Sequence, residues 1–273
     1  MKFFEKIEVA GNVISLWTFE KTQRADFSCS SRESKTSGPT QEEQDKNRAR
    51  TLSRARKRYF DLVNLNFPSL TKFLTLTIAN PVYSSPAIAN PALKNFIDNL
   101  RKTHDKNLKY IATIELQKRG TIHYHLLMDI KYIDFEVLLK KWGLGGCWIK
   151  AIPPECPATA SYMAKYMSKQ MLQGLSASPE WRHKKVFLRS RNLKYPPLVM
   201  RRNSNYLSLH LSEFLDGLRF HGEIVKKEIY EGNHEATGRY KKTTIILDRL
   251  GSDIKGVEQE ACLYAESSLT PSF

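Results

Sequence analysis

His123 and His125 stand two residues apart in Gly120-Thr121-Ile122-His123-Tyr124-His125-Leu126-Leu127-Met128-Asp129. In an extended chain, side chains two apart share a face, so both imidazoles project together while Ile122, Tyr124, Leu126 and Met128 face the other way. Two neutral imidazoles side by side are the start of a divalent-metal site. Further along, Ser161-Tyr162-Met163-Ala164-Lys165-Tyr166-Met167-Ser168-Lys169 carries a second kind of chemistry. If helical, Tyr162, Lys165, Tyr166 and Lys169 fall at i, i+3, i+4 and i+7 and form one stripe, with Met163, Met167 and Met171 on an adjacent apolar face. A free phenol is only about 0.1% ionised at pH 7, so forming phenolate costs roughly 4 kcal/mol unless its surroundings help. Lys165 and Lys169 could supply that help by charge, hold a phosphodiester, or steady a leaving group.

The third metal ligand follows from strand register. Residues 109–117 and 121–130 read as two strands joined by the turn Lys118-Arg119-Gly120. If Gln117 sits opposite Thr121, then Glu115 lies opposite His123, with Cβ atoms roughly 5 Å apart. Glu115, His123 and His125 together leave positions open for phosphate oxygen and water, as Lewis-acid catalysis requires. A mixed nitrogen and oxygen donor set of this kind suits Mg2+ or Mn2+ during phosphoryl chemistry.

Other elements must hold these two motifs in place. Phe73-Leu74-Thr75-Leu76-Thr77-Ile78 is β-rich and ends before Asn80-Pro81, which predicts a strand. Pro91–Lys102, Phe135–Trp142 and Ala158–Gln173 carry helical stripes with start or stop residues at their ends, and Cys147–Ile152 reads as a short strand. Val186–Arg191 and Tyr206–Leu215 give weaker strand and helix signals. Residues 1–20 alternate loosely as a strand or hairpin, and Ser28–Asp45 reads as a linker. Asn47–Leu65 spaces Leu52, Tyr59, Leu62 and Val63 for a helix and fills most of the remaining positions with Arg48, Arg50, Arg54, Arg56, Lys57 and Arg58. Those six cations, with Lys118 and Arg119, are candidate DNA-binding residues. The tail from Glu228 mixes a strand-like Thr243–Leu247 with polar segments.

Composition narrows the class of partner. The 273 residues suffice for one well-packed domain with appendages, not for a second large motor domain. Lys and Arg number 43 against 28 Asp and Glu, a formal charge of +15, which favours a polyanion bound through counterion release. No apolar run approaches the roughly 18 to 20 residues needed to span a bilayer, and Met1-Lys2-Phe3-Phe4-Glu5 shows no secretory h-region. Cys29, Cys147, Cys156 and Cys262 form no Cys-x-x-Cys pair, so neither a zinc ribbon nor a disulfide framework is expected and a reducing cytoplasm fits.

On these residues the chain resembles the HUH-endonuclease family of rolling-circle replication initiators, most closely the two-tyrosine branch of small single-stranded DNA phages and related plasmids or prophages. Phe73–Thr77 is similar to the first-motif strand, Glu115–His125 to the metal motif, and Tyr162–Lys169 to the nucleophile helix. Trp142-Gly143 and Ser190–Pro196 are similar in spacing to phage-type members. The resemblance implies an α+β fold, a central antiparallel five-stranded sheet with flanking helices. It also implies that one tyrosine nicks single-stranded origin DNA, keeps the 5′ end as a phosphotyrosine and frees a 3′-OH, with the second tyrosine acting in termination. No ATP is needed, and Gly143-Leu144-Gly145-Gly146 lacks the Lys of a phosphate loop. Strand separation and synthesis are then expected from a host helicase and DNA polymerase in a bacterial cytoplasm. The chain divides on this reading into an N-terminal strand region and linker (1–45), the endonuclease domain (46–200) and a C-terminal extension of unassigned role (201–273). Both tyrosines fit Tyr-x-x-Lys. The same chemistry would serve a transposase or mobilisation nickase, and the same basic surface a non-catalytic DNA-binding copy-control protein.

Overall fold

Period-two alternation across residues 72–128 builds the sheet that matters most. In the computed structural model, which describes residues 4–20, 40–67, 71–117, 120–152, 180–181, 184–195, 198–202, 209–234, 238–248 and 253–266, strands β3 (Lys72–Thr77), β4 (Tyr110–Leu116), β5 (Ile122–Met128), β6 (Cys147–Ala151) and β7 (Phe187–Arg189) form an antiparallel sheet of order β6-β3-β5-β4-β7. One face carries Leu74, Leu76, Ala112, Ile114, Ile122, Tyr124, Leu126 and Met128. These bury against Leu93, Phe96, Ile97 and Leu100 of helix α2 (Pro86–Thr103) and Leu138 and Trp142 of α3 (Phe135–Trp142). The opposite face carries Phe73, Ile111 and Leu127, which pack with Tyr59, Leu62 and Val63 of α1 (Gln41–Asn66) and with Phe67 and Leu193. The α+β class with a central five-stranded antiparallel sheet and flanking helices is the one expected from the sequence.

A second antiparallel sheet, of order β8-β1-β2-β10-β9, joins β1 (Phe4–Ala10) and β2 (Val13–Phe19) to β8 (Leu198–Arg202), β9 (Ile224–His234) and β10 (Gly238–Leu247). Ile7, Val9, Ile14, Leu16, Ile245 and Leu247 form its core with Phe214 and Leu218 of α4 (Leu211–His221) and Val257 and Ala261 of α5 (Ile254–Glu266). The chain divides into two compact units, residues 1–49 with 196–273, and residues 50–195. The whole +15 charge excess belongs to residues 50–195, the remainder being close to neutral.

Several elements depart from the sequence expectation for identifiable reasons. Helix α1 begins at Gln41, inside the presumed linker, because Thr40 and Glu43 form a capping box: the Glu43 N–H donates to Thr40 Oγ1 at 3.3 Å, and the Thr40 N–H to Glu43 Oε2 at 3.1 Å. Helix α2 starts five residues earlier than read, with Pro86 in its first turn, and Pro91 lies exposed inside it, with no N–H to give Ala87. The polar stretch after Glu223 is β9, an edge strand, where charged side chains replace clean alternation. The weak helix signal at 206–215 corresponds to α4 at 211–221.

Glycines 143 to 146 serve packing. Gly143 closes α3 with φ of 65°. A Cβ on Gly145, whose φ is 154°, would lie 2.5 Å from the Thr77 carbonyl oxygen. The bare backbone is what lets this loop dock on the end of β3, where Gly146 O accepts from Thr77 N and Leu144 O from Ala79 N.

Candidate metal centre

The hairpin register sets up the site. Gln117 N donates to Thr121 O, Glu115 pairs with His123, and Thr113 pairs with His125. On the other side of β5, Thr75 pairs with His125 and Thr77 with His123. Glu115, His123 and His125 therefore share the α1-side face, with ligand atoms all within 4.8 Å of one another. Burial is graded along β5: Leu127 is sealed under α1, His125 is 5% exposed, and His123 is half-buried toward the open end.

The side chains cross the register diagonally. Although Glu115 faces His123 in the ladder, its Oε2 lies 2.7 Å from His125 Nε2, while His123 Nδ1 lies 3.2 Å from the Gln117 amide. With Glu115 ionised, His125 Nε2 carries the proton and Nδ1 accepts from the Thr75 hydroxyl at 3.1 Å. The ring is also stacked on Phe73, with centroids 5.9 Å apart and planes 4° apart. Gln117 is held in turn by the Thr121 hydroxyl, which donates to Oε1 at 2.8 Å. Burial lowers the pKa of His123 below the ordinary imidazole value, against the opposing pull of the Glu115 charge. It is thereby kept neutral, as a ligand must be.

This donor set fits a small divalent cation. Ligand atoms around such an ion sit about 3 Å apart, given metal–ligand bonds of about 2.1 Å. The Glu115–His125 pair is already near that spacing, and side-chain rotation covers the rest. Binding through His125 Nε2 moves the ring proton to Nδ1, where the Thr75 oxygen can accept it; a hydroxyl serves either tautomer. Thr75 and Gln117 are thus the orienting residues that reading the ligands alone did not find, and their position opposite or beside the histidines in the ladder is the signal that locates them.

The neighbouring phenols and thiol are unsuited to nucleophilic work. Tyr124, between the two histidines, points into the apolar layer and donates to Asn90 Oδ1 at 3.0 Å, and burial raises its pKa. Tyr59 is raised the same way. Burial pushes the Cys147 thiol up to about 11, so it is neither thiolate nor ligand at neutral pH. The predicted nucleophile residues Tyr162, Lys165, Tyr166 and Lys169 lie outside the described residues, as do Lys118 and Arg119.

The basic residues of α1 separate into two groups. Arg50, Arg54, Arg56, Lys57 and Arg58 are partly or fully exposed. Arg58 lies 4.8 Å over the Tyr195 ring and donates to its hydroxyl, Arg56 lies over Phe60, and Lys57 pairs with Asp61 at 2.8 Å. Arg48 is half-buried on the helical line of Leu52 and Tyr59. Among the described residues, no helix is long and apolar enough to cross a membrane.

Residues 71–171 match a family model of replication-associated proteins of the ORF2 type. The match is under half of the chain, but it takes in both ligand strands and the Tyr162–Lys169 segment, and it supports a role in DNA replication and DNA binding. No curated protein matches. Among solved structures, the chain is similar to the hypothetical protein ORF119 from Sulfolobus islandicus rod-shaped virus 1, at 17% identity over 43% of this chain and 90% of that one, with a TM-score of 0.29. That likeness is too slight to carry an argument.

Proposed function

We propose that this protein starts and ends rolling-circle DNA replication by metal-dependent, tyrosine-mediated nicking and rejoining of single-stranded origin DNA. The observation that carries the reading is the Glu115, His123 and His125 cluster on one face of the sheet, in a span that matches replication-associated proteins. A divalent cation, Mg2+ or Mn2+, held by these three groups polarises a phosphodiester oxygen. Thr75 and Gln117 fix the two rings, and α1 with Phe73 keeps water from the inner side of His125.

The chemistry assigned to the tyrosines is a transesterification. The phenol of Tyr162 or Tyr166 loses its proton and its oxygen bonds to phosphorus; the P–O3′ bond breaks, and the leaving 3′ oxygen takes up a proton. The 5′ end stays on the enzyme as a phosphotyrosine, so the bond energy is retained without ATP. The second tyrosine repeats the exchange at termination and rejoins the displaced strand as a circle. Lys165 and Lys169 balance the charge that develops on phosphate oxygens. The exposed cations of α1 bind backbone phosphate without regard to sequence. A host helicase and polymerase supply strand separation and synthesis.

The test is incubation with labelled single-stranded origin DNA and Mn2+, followed by denaturing gel analysis. The wild type should form a covalent adduct that His123→Ala, His125→Ala and the Tyr162→Phe/Tyr166→Phe pair abolish. No wild-type adduct, or an undiminished adduct in the double tyrosine variant, would refute nicking. Salt-dependent binding without cleavage would leave the copy-control reading in its place, and strand transfer confined to transposon or transfer-origin ends the transposase or mobilisation reading.

A further inference from the structure

The sheet of the other unit has one face sealed by α4 and α5 and a second face of a different character. Strand register places two rows of side chains on that second face. The first runs Phe4, Phe19, Tyr240 across β1, β2 and β10, with centroids 6.1 and 6.3 Å apart, and ends on Gly232 of β9. The second runs Lys6, Trp17, Lys242, Tyr230 across the same four strands. Trp17 stacks on Phe19 at 5.8 Å with planes 7° apart, and Tyr230 lies 6.0 Å from Tyr240. Lys242 Nζ sits 4.9 Å over the Trp17 ring and Lys6 Nζ 6.0 Å. None of these five aromatics belongs to a buried cluster among the described residues, and Tyr230 is 61% exposed.

A sheet face of this kind is poorly explained by stability alone. Five large rings left partly in water forgo much of the burial that aromatic side chains normally gain. A Cβ at Gly232 would lie 2.8 Å from the Tyr240 ring, so the absent side chain leaves the space in which that ring lies across β9. Rings spread flat over adjacent strands, with ammonium groups between them, match what bases and phosphates need together: π-faces for stacking, and cations that can move from ring to phosphate.

We infer that this face is a second binding surface, a stacking platform for two or three unpaired bases of single-stranded DNA, separate from the metal centre. That the strand is DNA rather than RNA rests on the nicking reading; the stacking itself does not. Its role would be to hold displaced or incoming single strand while the other unit does chemistry.

The test is photo-crosslinking of the full-length protein to 5-bromodeoxyuridine oligonucleotides in EDTA, with peptide mapping, so that success or failure of metal-dependent nicking leaves the result unaffected. Crosslinks to Trp17, Phe19, Tyr230 or Tyr240 are expected beside those in residues 50–195. Tyr230→Ala and Lys242→Ala, both changes at solvent-accessible positions, should remove the platform crosslinks, and Trp17→Ala should weaken oligo(dT) binding by roughly tenfold. Crosslinks confined to residues 50–195 would overturn the proposal. So would platform crosslinks with a 5-bromouridine RNA strand but none with DNA, or platform crosslinks that persist in both of those variants.

Discussion

Replacing Thr75 with valine removes one hydroxyl from the metal centre and little else. Valine keeps the branched shape and suits a strand, so β3 should hold its pairing with β5 and β6. What is lost is the 3.1 Å bond to His125 Nδ1. The ring remains stacked on Phe73 and nine-tenths or more covered, so it cannot swing far. The penalty is therefore that of one neutral hydrogen bond, about 1 to 1.5 kcal/mol, which is about tenfold in affinity and at the lower end of what losing an outer partner of a metal-binding histidine costs. Calorimetric titration with Mn2+ should show Thr75→Val binding about tenfold more weakly, with an unchanged thermal melt in EDTA. Thr75→Ser restores the oxygen and should recover most of the loss. Affinity within twofold of wild type for the valine variant, or a serine variant as weak as the valine one, would refute the orienting role.

Three further outcomes test the scaffold. Asn66→Ala removes the side chain that accepts from Lys194 N at 2.7 Å and donates to Lys194 O at 3.1 Å, and urea unfolding should report a loss of about 2 to 3 kcal/mol. Gly145→Ala forces a Cβ onto the Thr77 carbonyl at a backbone angle that alanine resists, so it should destabilise by about 2 kcal/mol or more and also weaken Mn2+ binding, because Thr77 pairs with His123. His123 has a depressed pKa, so the unfolded chain binds more protons in the window just below pH 6.5. Its contribution to stability is present above that pH and lost as pH falls through the folded value. The melting temperature of His123→Gln should accordingly drop less than that of wild type between pH 7 and pH 5.5.

What could be read from the sequence divides by the range of the interactions. The β4–β5 hairpin and the placement of Glu115 against His123 were legible because a short turn fixes register and register fixes faces. The diagonal contacts were not, since ladder pairing orders Cβ atoms but leaves the carboxylate to choose between two imidazoles. The Thr40–Glu43 capping box was present in the sequence and was hidden by the polar composition around it. The second sheet depends on residues 4–19 meeting residues 198–202 and 238–247, a pairing that no local pattern announces. Its aromatic face was hidden for the same reason, because Trp17 and Tyr240 become neighbours only through that pairing.

The alternation in β5 has a consequence for how the chain can change over time. Even-numbered positions in this strand build the core and odd-numbered positions build the site, so a one-residue deletion would drive both imidazoles into the apolar layer and eject Tyr124, Leu126 and Met128 from it. Length changes within the strand are thus lethal to fold and chemistry at once. Substitutions at His123 or His125, in contrast, leave the hydrophobic layer intact. Such a lineage can lose activity by point mutation while keeping a folded descendant, free to be recruited to another task.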